Sequence, residues 1–262
     1  MSDDEVGSYA VVEIDNLTVY RGNQVAVDRV SFQLFSGTNT AIIGPNGAGK
    51  TTLIKAILGL IPAESGQIRI FGRPLNQLGK RWEKVGYIPQ KFSFDRYFPL
   101  TVEELVSLAL PNSGFWRLAT PVTLPRQSRD RKILAQKALV QVNLESQSSQ
   151  RIGTLSGGEL KRVLLAYCLA VPRQLIVLDE ALAEVDATGE VEFANLLNQL
   201  QREQGFAILQ ISHDLDLVSQ YCDRVLCLNR KIICQGSPRE TLSTDNLKSI
   251  YGSNQVRYLH SH

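Results

Sequence analysis

Long apolar runs are missing from this chain of 262 residues. The longest, from Val163 to Val171, is about half of what a bilayer crossing needs, which excludes an integral membrane class. Charge of one sign is missing as well: 28 Lys and Arg stand against 26 Asp and Glu, a formal net charge of +2. That balance argues against a nucleic-acid partner, and the short basic stretch from Arg126 to Lys132 reads as a solvated helix start. Cysteine is scarce, and Cys168, Cys222, Cys227 and Cys234 form no CxxC pair and have no histidine at zinc-ligand spacing. They read as reduced core residues rather than a metal site. The first residues, MSDDEVGS, are acidic where a secretory signal is basic and apolar, so the expected compartment is the cytosol. Internal repeats and low-complexity tracts are lacking too. What is present, 44% hydrophobic residues, describes an ordinary globular protein, large enough for one big domain or a core with an inserted subdomain.

The pattern changes along the chain. VVEIDNLTV, VAVDRVSFQLF and TNTAIIG, between residues 10 and 44, read as strands separated by turn chemistry at Arg21-Gly22-Asn23 and Ser36-Gly37. TTLIKAILGL, from Thr51 to Leu60, has helical spacing, Pro62 stops it, and GQIRIFGRP returns to a strand. From about Phe92 to Val171 the sequence is helical, broken by the stretch from Pro111 to Pro125. Strands then resume in QLIVLDE, FAILQISH, RVLCLN and KIICQG, with the helix VEFANLLNQLQREQ between the first two. Short apolar strands alternating with helices imply an α/β protein with a buried parallel sheet and an inserted helical block.

Three motifs carry chemistry. Gly44, Pro45, Asn46, Gly47, Ala48, Gly49, Lys50 and Thr51, followed by Thr52, satisfy G-x-x-x-x-G-K-[ST] at every fixed position. Chance alone produces such a match in roughly one chain in a hundred of this length. The match follows a strand and opens a helix, where backbone N–H groups and the helix N-terminus cradle phosphates. Lys50 would reach the β- and γ-phosphates and the Thr51 hydroxyl would sit on Mg²⁺. In LIVLDE a buried strand delivers two carboxylates at its end: Asp179 is placed to bind Mg²⁺ and Glu180 to polarise an attacking water. Together the two motifs imply nucleoside triphosphate hydrolysis. In the third motif, Leu155-Ser156-Gly157-Gly158-Glu159, a polar loop opens an apolar helix and forms another anion site. One nucleotide needs one phosphate cradle, so the second points to a nucleotide bound from a neighbouring subunit.

LSGGE resembles the signature of ABC-type ATPases, and the likeness runs from about residue 10 to residue 252. It implies a single ABC ATPase domain over residues 1–262: a P-loop NTPase (RecA-like) core with an antiparallel β subdomain at 10–90 and 172–236, an inserted α-helical subdomain with the signature at 91–171, and a C-terminal extension at 237–262. By the same resemblance the cofactors are ATP and Mg²⁺, and two copies sandwich two ATP molecules, each P-loop facing the partner's Ser156, Gly157, Gly158 and Glu159. Gln90 is similar to the family's Q-loop glutamine on Mg²⁺, His213 to the switch histidine on the γ-phosphate, and Asp186 to the aspartate that communicates across the dimer. Glu180 is then the catalytic base, with His213 and Lys50 beside it. Two departures follow Asp179-Glu180: Ala181 replaces a proline, and Glu184 puts a charge where a small residue is usual. The adenine-stacking aromatic is Tyr20 after a local bulge, or else Arg21 stacks its guanidinium there; Tyr20 is favoured.

An ATPase of this family without a spanning segment implies separate transmembrane permease subunits, at the cytoplasmic face of the membrane, served by an extracytoplasmic metal-binding protein. The aromatics Phe92, Phe94, Tyr97 and Phe98 after the Q-loop read in part as a docking patch and in part as subdomain core. YIPQKFSFDRYFPLTVEELV, LSGGELKRVLLA and ISHDLDLVSQYCDRVLCLNRKIICQGSP look like the ATPases of bacterial zinc, manganese and iron uptake, with zinc first and manganese second. His260 and His262 make a thin counterpart to the His-rich tail of some zinc ATPases, and a terminus without function is the simpler reading. The alternatives are an ABC ATPase for a non-metal cargo and a soluble scaffold ATPase of the iron-sulfur-assembly kind. A DNA-repair ATPase would need long heptad insertions, and a GTPase an Asn-Lys-x-Asp motif; neither is present.

Overall fold

In a computed structural model the described residues are 9–110, 128–181 and 185–252, with backbone alone at 128–130. The stretch from Pro111 to Pro125, Glu184, His260 and His262 lie outside them. The chain divides into two compact units, one made of Met1–Val85, Gln174–Glu180 and Gln201–His262, the other of Gly86–Arg173 and Ala181–Leu200.

The first unit begins with β1 (Ala10–Arg21) and β2 (Gln24–Phe35), followed by β3 (Asn39–Ile43), α1 (Lys50–Ile57), β4 (Ser65–Ile70) and β5 (Arg73–Pro74). β6 (Val85–Ile88) leads into the second unit, which holds α2 (Val102–Leu108), α3 (Ser128–Gln141) and α4 (Gly157–Leu169). The chain returns through β7 (Leu175–Leu178), α5 (Ala187–Gln204), β8 (Ala207–Ile211), α6 (Leu215–Tyr221), β9 (Arg224–Asn229), β10 (Lys231–Gly236), α7 (Pro238–Thr241) and α8 (Thr244–Tyr251).

Two sheets build the first unit. One is antiparallel, in the order β2-β1-β4-β5. The other runs β10-β9-β3-β8-β7 and is parallel from β9 to β7. Every residue of β3 (NTAII) and β7 (LIVL) is buried, as strands covered on both faces are, including the polar Asn39 and Thr40 at the start of β3. β10 adds an antiparallel edge to the parallel sheet: it pairs antiparallel with β9. Their connection is a single residue, too short for the crossover that parallel neighbours need.

In the second unit α2, α3 and α4 pack on one another, burying Val102, Val106, Leu139, Val163 and Leu165. Thr101 caps α2 with Glu104 in a reciprocal box, and the Arg131 guanidinium donates to the carbonyls of Ser107 and Leu110 at the helix end. In the basic stretch Lys132 pairs with Glu103 at 3.1 Å. Phe92 and Phe94 are half-buried with ring centroids 5.5 Å apart, while Tyr97 and Phe98 are exposed.

One expectation is corrected. Cys227 and Cys234 are joined in a disulfide rather than being two reduced core thiols. They sit opposite each other across β9 and β10, a juxtaposition set by strand register and invisible to spacing rules written for CxxC. Cys168 and Cys222 are free and buried, and desolvation pushes their thiols up to about 11 and about 12. Mass-spectrometric alkylation should therefore label no cysteine in the native protein at pH 8, two after denaturation without reductant, and four once reductant is added.

Candidate functional site

The loop between β3 and α1 is shaped by two glycines. Gly44 has φ 151° and Gly49 φ 95°, conformations that a side chain disfavours. A Cβ on Gly44 would run into the Leu228 carbonyl of β9, and one on Gly49 into the Ala26 carbonyl of β2. The loop is thus wedged between backbone on both sides, and α1 starts immediately after it at Lys50 with no side-chain cap on its first N–H groups. Residues 50–52 line the cleft, so the uncapped helix start lies at its wall, as a phosphate cradle requires. Lys50 is buried, and its Nζ donates to the carbonyls of Gly44 at 2.7 Å and Pro45 at 3.1 Å. Burial pulls the Lys50 ammonium below its ordinary pKa, while Glu180 and Asp179 partly restore it.

β7 delivers the acids beside this loop. The Thr51 hydroxyl donates to Asp179 Oδ1 at 3.0 Å, and Asp179 is buried. Glu180 takes a left-handed φ of 47°, unusual for a glutamate, and its Oε1 lies 2.8 Å from His213 Nε2 at the end of β8. Ala181 follows and is buried. A cleft of about 280 Å³ opens over the cradle, walled by residues 46–52 and Glu180 and also by Arg21, Gln24 and Arg230.

Tyr20 does not line that cleft. β1 shifts register at Val19 and Tyr20, Tyr20 is exposed, and strand alternation gives the wall to Arg21, the other residue considered for the base. Sequence reasoning also missed Tyr251, which is hydrogen-bonded to the backbone of Gly44. Its helix α8 sits on a cluster containing Ile43, Cys227, Leu247 and Ile250, so the C-terminal helices brace the root of the loop. No local motif announces this contact, which spans the length of the chain.

The second unit carries the remaining candidates. Ser156 caps α4: its N–H and its hydroxyl donate to Glu159 Oε2, both at 2.8 Å, and Glu159 N–H donates back to the Ser156 hydroxyl at 3.3 Å. These bonds to Ser156 hold the Glu159 carboxyl below the usual range. Gly157 and Gly158 form the first turn of α4. Lys161, one turn on, is buried and donates to the carbonyls of Pro89 at 3.3 Å and Gln90 at 2.9 Å, tying the Q-loop backbone to the signature helix. Asp186 Oδ1 accepts from Gly189 N–H at 2.8 Å, ahead of α5.

A phosphate cradle at the end of a parallel strand, a carboxylate pair beside it and a capped LSGGE helix together define an ATP-binding cassette. Residues 27–183 match the family described as ABC transporter, and the chain belongs to that family. The manganese transport system ATP-binding protein MntB of Listeria monocytogenes is 37% identical over 248 residues, 94% of this chain and 98% of that protein. The zinc transport system ATP-binding protein TroB of Treponema pallidum is 37% identical over 96% of this chain and 90% of its own length. Among solved structures, MJ1267, an ATP-binding cassette of an ABC transporter, superimposes with a TM-score of 0.79 at 28% identity, over 93% of this chain and 99% of that one. The cbiO1 protein of Clostridium perfringens, part of the transporter complex cbiONQ, gives 0.75 at 27% identity, over 96% and 98%. The fold is that of an ABC ATPase, and the chain is an ATPase.

Gly49→Ala should lower the melting temperature by at least about 4 °C and abolish ATP binding, because the new methyl meets the Ala26 carbonyl at a left-handed φ. Differential scanning fluorimetry with and without ATP reads both effects.

Proposed function

We propose that this chain hydrolyses ATP to energise an ABC importer for a divalent first-row metal, zinc first and manganese second. The observation that carries the chemistry is the convergence of Asp179, Glu180 and His213 on the cradle of Lys50 and Thr51. Glu180 takes the proton of the attacking water as its oxygen bonds to the γ-phosphorus. The bond from that phosphorus to the bridging oxygen breaks, and ADP leaves. His213 holds the Glu180 carboxylate in place through the 2.8 Å contact and is the group proposed to reach the γ-phosphate. Lys50 spreads charge from the β- and γ-phosphates.

Thr51 Oγ1 and Asp179 Oδ1 are hard oxygen donors side by side at the cradle, a set that suits Mg²⁺. When bound, Mg²⁺ neutralises charge on the phosphate oxygens. Gln90 is proposed as a further ligand on its sequence position alone. Arg21, from the cleft wall, is the platform for the base in place of Tyr20.

Ser156, Gly157, Gly158 and Glu159 are proposed to meet the nucleotide of a second copy, with Asp186 at that dimer contact. Among the described residues no helix is long and apolar enough to cross a membrane, which supports separate permease subunits and a peripheral place on the cytoplasmic face. Exposed Tyr97 and Phe98 are their proposed docking residues. An extracytoplasmic metal-binding protein completes the system. The two units with the residues after β10 are proposed to act as one ABC ATPase domain. Metal cargo rests on relatives named for manganese and zinc transport at equal identity.

Glu180→Gln should keep ATP binding and cut turnover by a factor of about 10² to 10⁴, with ATP trapping a dimer on gel filtration. Unaltered phosphate release would remove Glu180 as the base. Cargo is tested by metal-selective growth and ⁶⁵Zn or ⁵⁴Mn uptake in a deletion strain: a deficit in one metal, restored by the gene, is expected. Copurification with a stable soluble complex and no polytopic membrane protein would favour the scaffold ATPase instead.

A further inference from the structure

The turn joining β9 to β10 is one residue, Arg230, and it adopts a left-handed φ of 59°. Glycine or asparagine takes that conformation with less strain, so an arginine there calls for an account of its side chain. The backbone of Arg230 is held from both sides. Its N–H donates to the carbonyl of Ala48, inside the phosphate cradle, at 2.8 Å, and its own carbonyl accepts from Asp28 N–H at 2.8 Å. Asp28, whose N–H holds the Arg230 carbonyl, is already committed to other cations: it pairs with Lys231 at 3.2 Å and with Arg29 at 3.2 Å. Among the described residues no hydrogen bond or ion pair engages the Arg230 guanidinium. Arg230 nevertheless forms part of the cleft wall, with residues 46–52 of the cradle.

We propose that Arg230 is a nucleotide-binding residue whose guanidinium takes the phosphate chain of ATP. The inference rests on the nucleotide-site reading above and adds to it a cation from outside the phosphate-binding motif. Two features favour phosphate over base. The residue is anchored one hydrogen bond from the cradle itself, which fixes the root of the side chain within reach of the anions. A guanidinium also offers a planar fork of donors matched to phosphate oxygens. Lys50, by contrast, is a point charge resting on the carbonyls of Gly44 and Pro45. The two cations would approach the phosphates from different strands, Arg230 from the β9–β10 hairpin and Lys50 from α1. The disulfide between Cys227 and Cys234 closes the same hairpin, so the turn that presents Arg230 is fixed covalently as well as by hydrogen bonds.

The test is ATP affinity of the full chain, by isothermal titration at low and physiological salt, in wild type, Arg230→Gly, Arg230→Asn and Arg230→Lys. Glycine and asparagine both accept the left-handed turn, so these variants should keep or raise the melting temperature while weakening ATP about tenfold, roughly what one charge-assisted hydrogen bond supplies. Lysine should retain part of the affinity, and the difference between wild type and glycine should shrink with salt. Unchanged affinity in both the glycine and asparagine variants overturns the assignment, as does a lysine variant as weak as glycine. If the wild type binds ATP while Lys50→Met does not, the nucleotide site stands whatever Arg230 does; if the wild type binds no ATP, both readings fall together.

Discussion

The contact on which this structure turns is a backbone wedge. The phosphate loop passes between the Leu228 carbonyl of β9 and the Ala26 carbonyl of β2 at distances that leave no space for a Cβ on Gly44 or Gly49. Ala48, between them, is tied by its carbonyl to the N–H of Arg230. A loop clamped at both ends holds its uncapped N–H groups beside the cleft without help from side chains. Preorganisation of this kind lets backbone dipoles bind a highly charged ligand with little reorganisation, which is why a chain of net charge +2 needs no basic surface for the task.

The elements around the wedge explain why the strands lie where they do. β3 must be buried on both faces to lead into the loop, and its neighbours β8 and β9 supply His213 and the Leu228 carbonyl from their ends. β7 contributes Asp179 and Glu180 in the same way. The sites at strand ends follow from the parallel arrangement, which puts several carboxyl ends on one edge. The C-terminal helices extend this logic from below: Leu247 and Ile250 pack beneath Ile43, and Tyr251 reaches the Gly44 backbone. A segment that reads as an appendage is thus part of the loop's foundation.

Much of the fold and the site was legible in the sequence, and for a common reason. The P-loop, LIVLDE and LSGGE are each contiguous, so local spacing carries their chemistry; the strand–turn–helix context needed only hydrophobic periodicity. What escaped depends on register or on distant contacts. The Cys227–Cys234 pairing needs the offset of two antiparallel strands, and which of Tyr20 and Arg21 lines the cleft depends on the register of β1, which shifts at Val19 and Tyr20. Arg230 is the single residue between β9 and β10 and carries no turn signal of its own, and Lys161 reads as one more charge on an amphipathic helix until its bonds to Pro89 and Gln90 are seen.

The capping box at the start of α4 has an electrostatic corollary. Glu159 already occupies the positive end of its own helix, accepting both donors of Ser156 on a single oxygen. An anion competing for the two Ser156 donors would have to displace that carboxylate, so its net gain there would be the difference between two anions on one pair of donors. A monovalent guest would gain little by that exchange, whereas a terminal phosphate has more charge and more oxygens than the side chain. A helix end held this way would act as a threshold, admitting a guest by charge density rather than by charge alone.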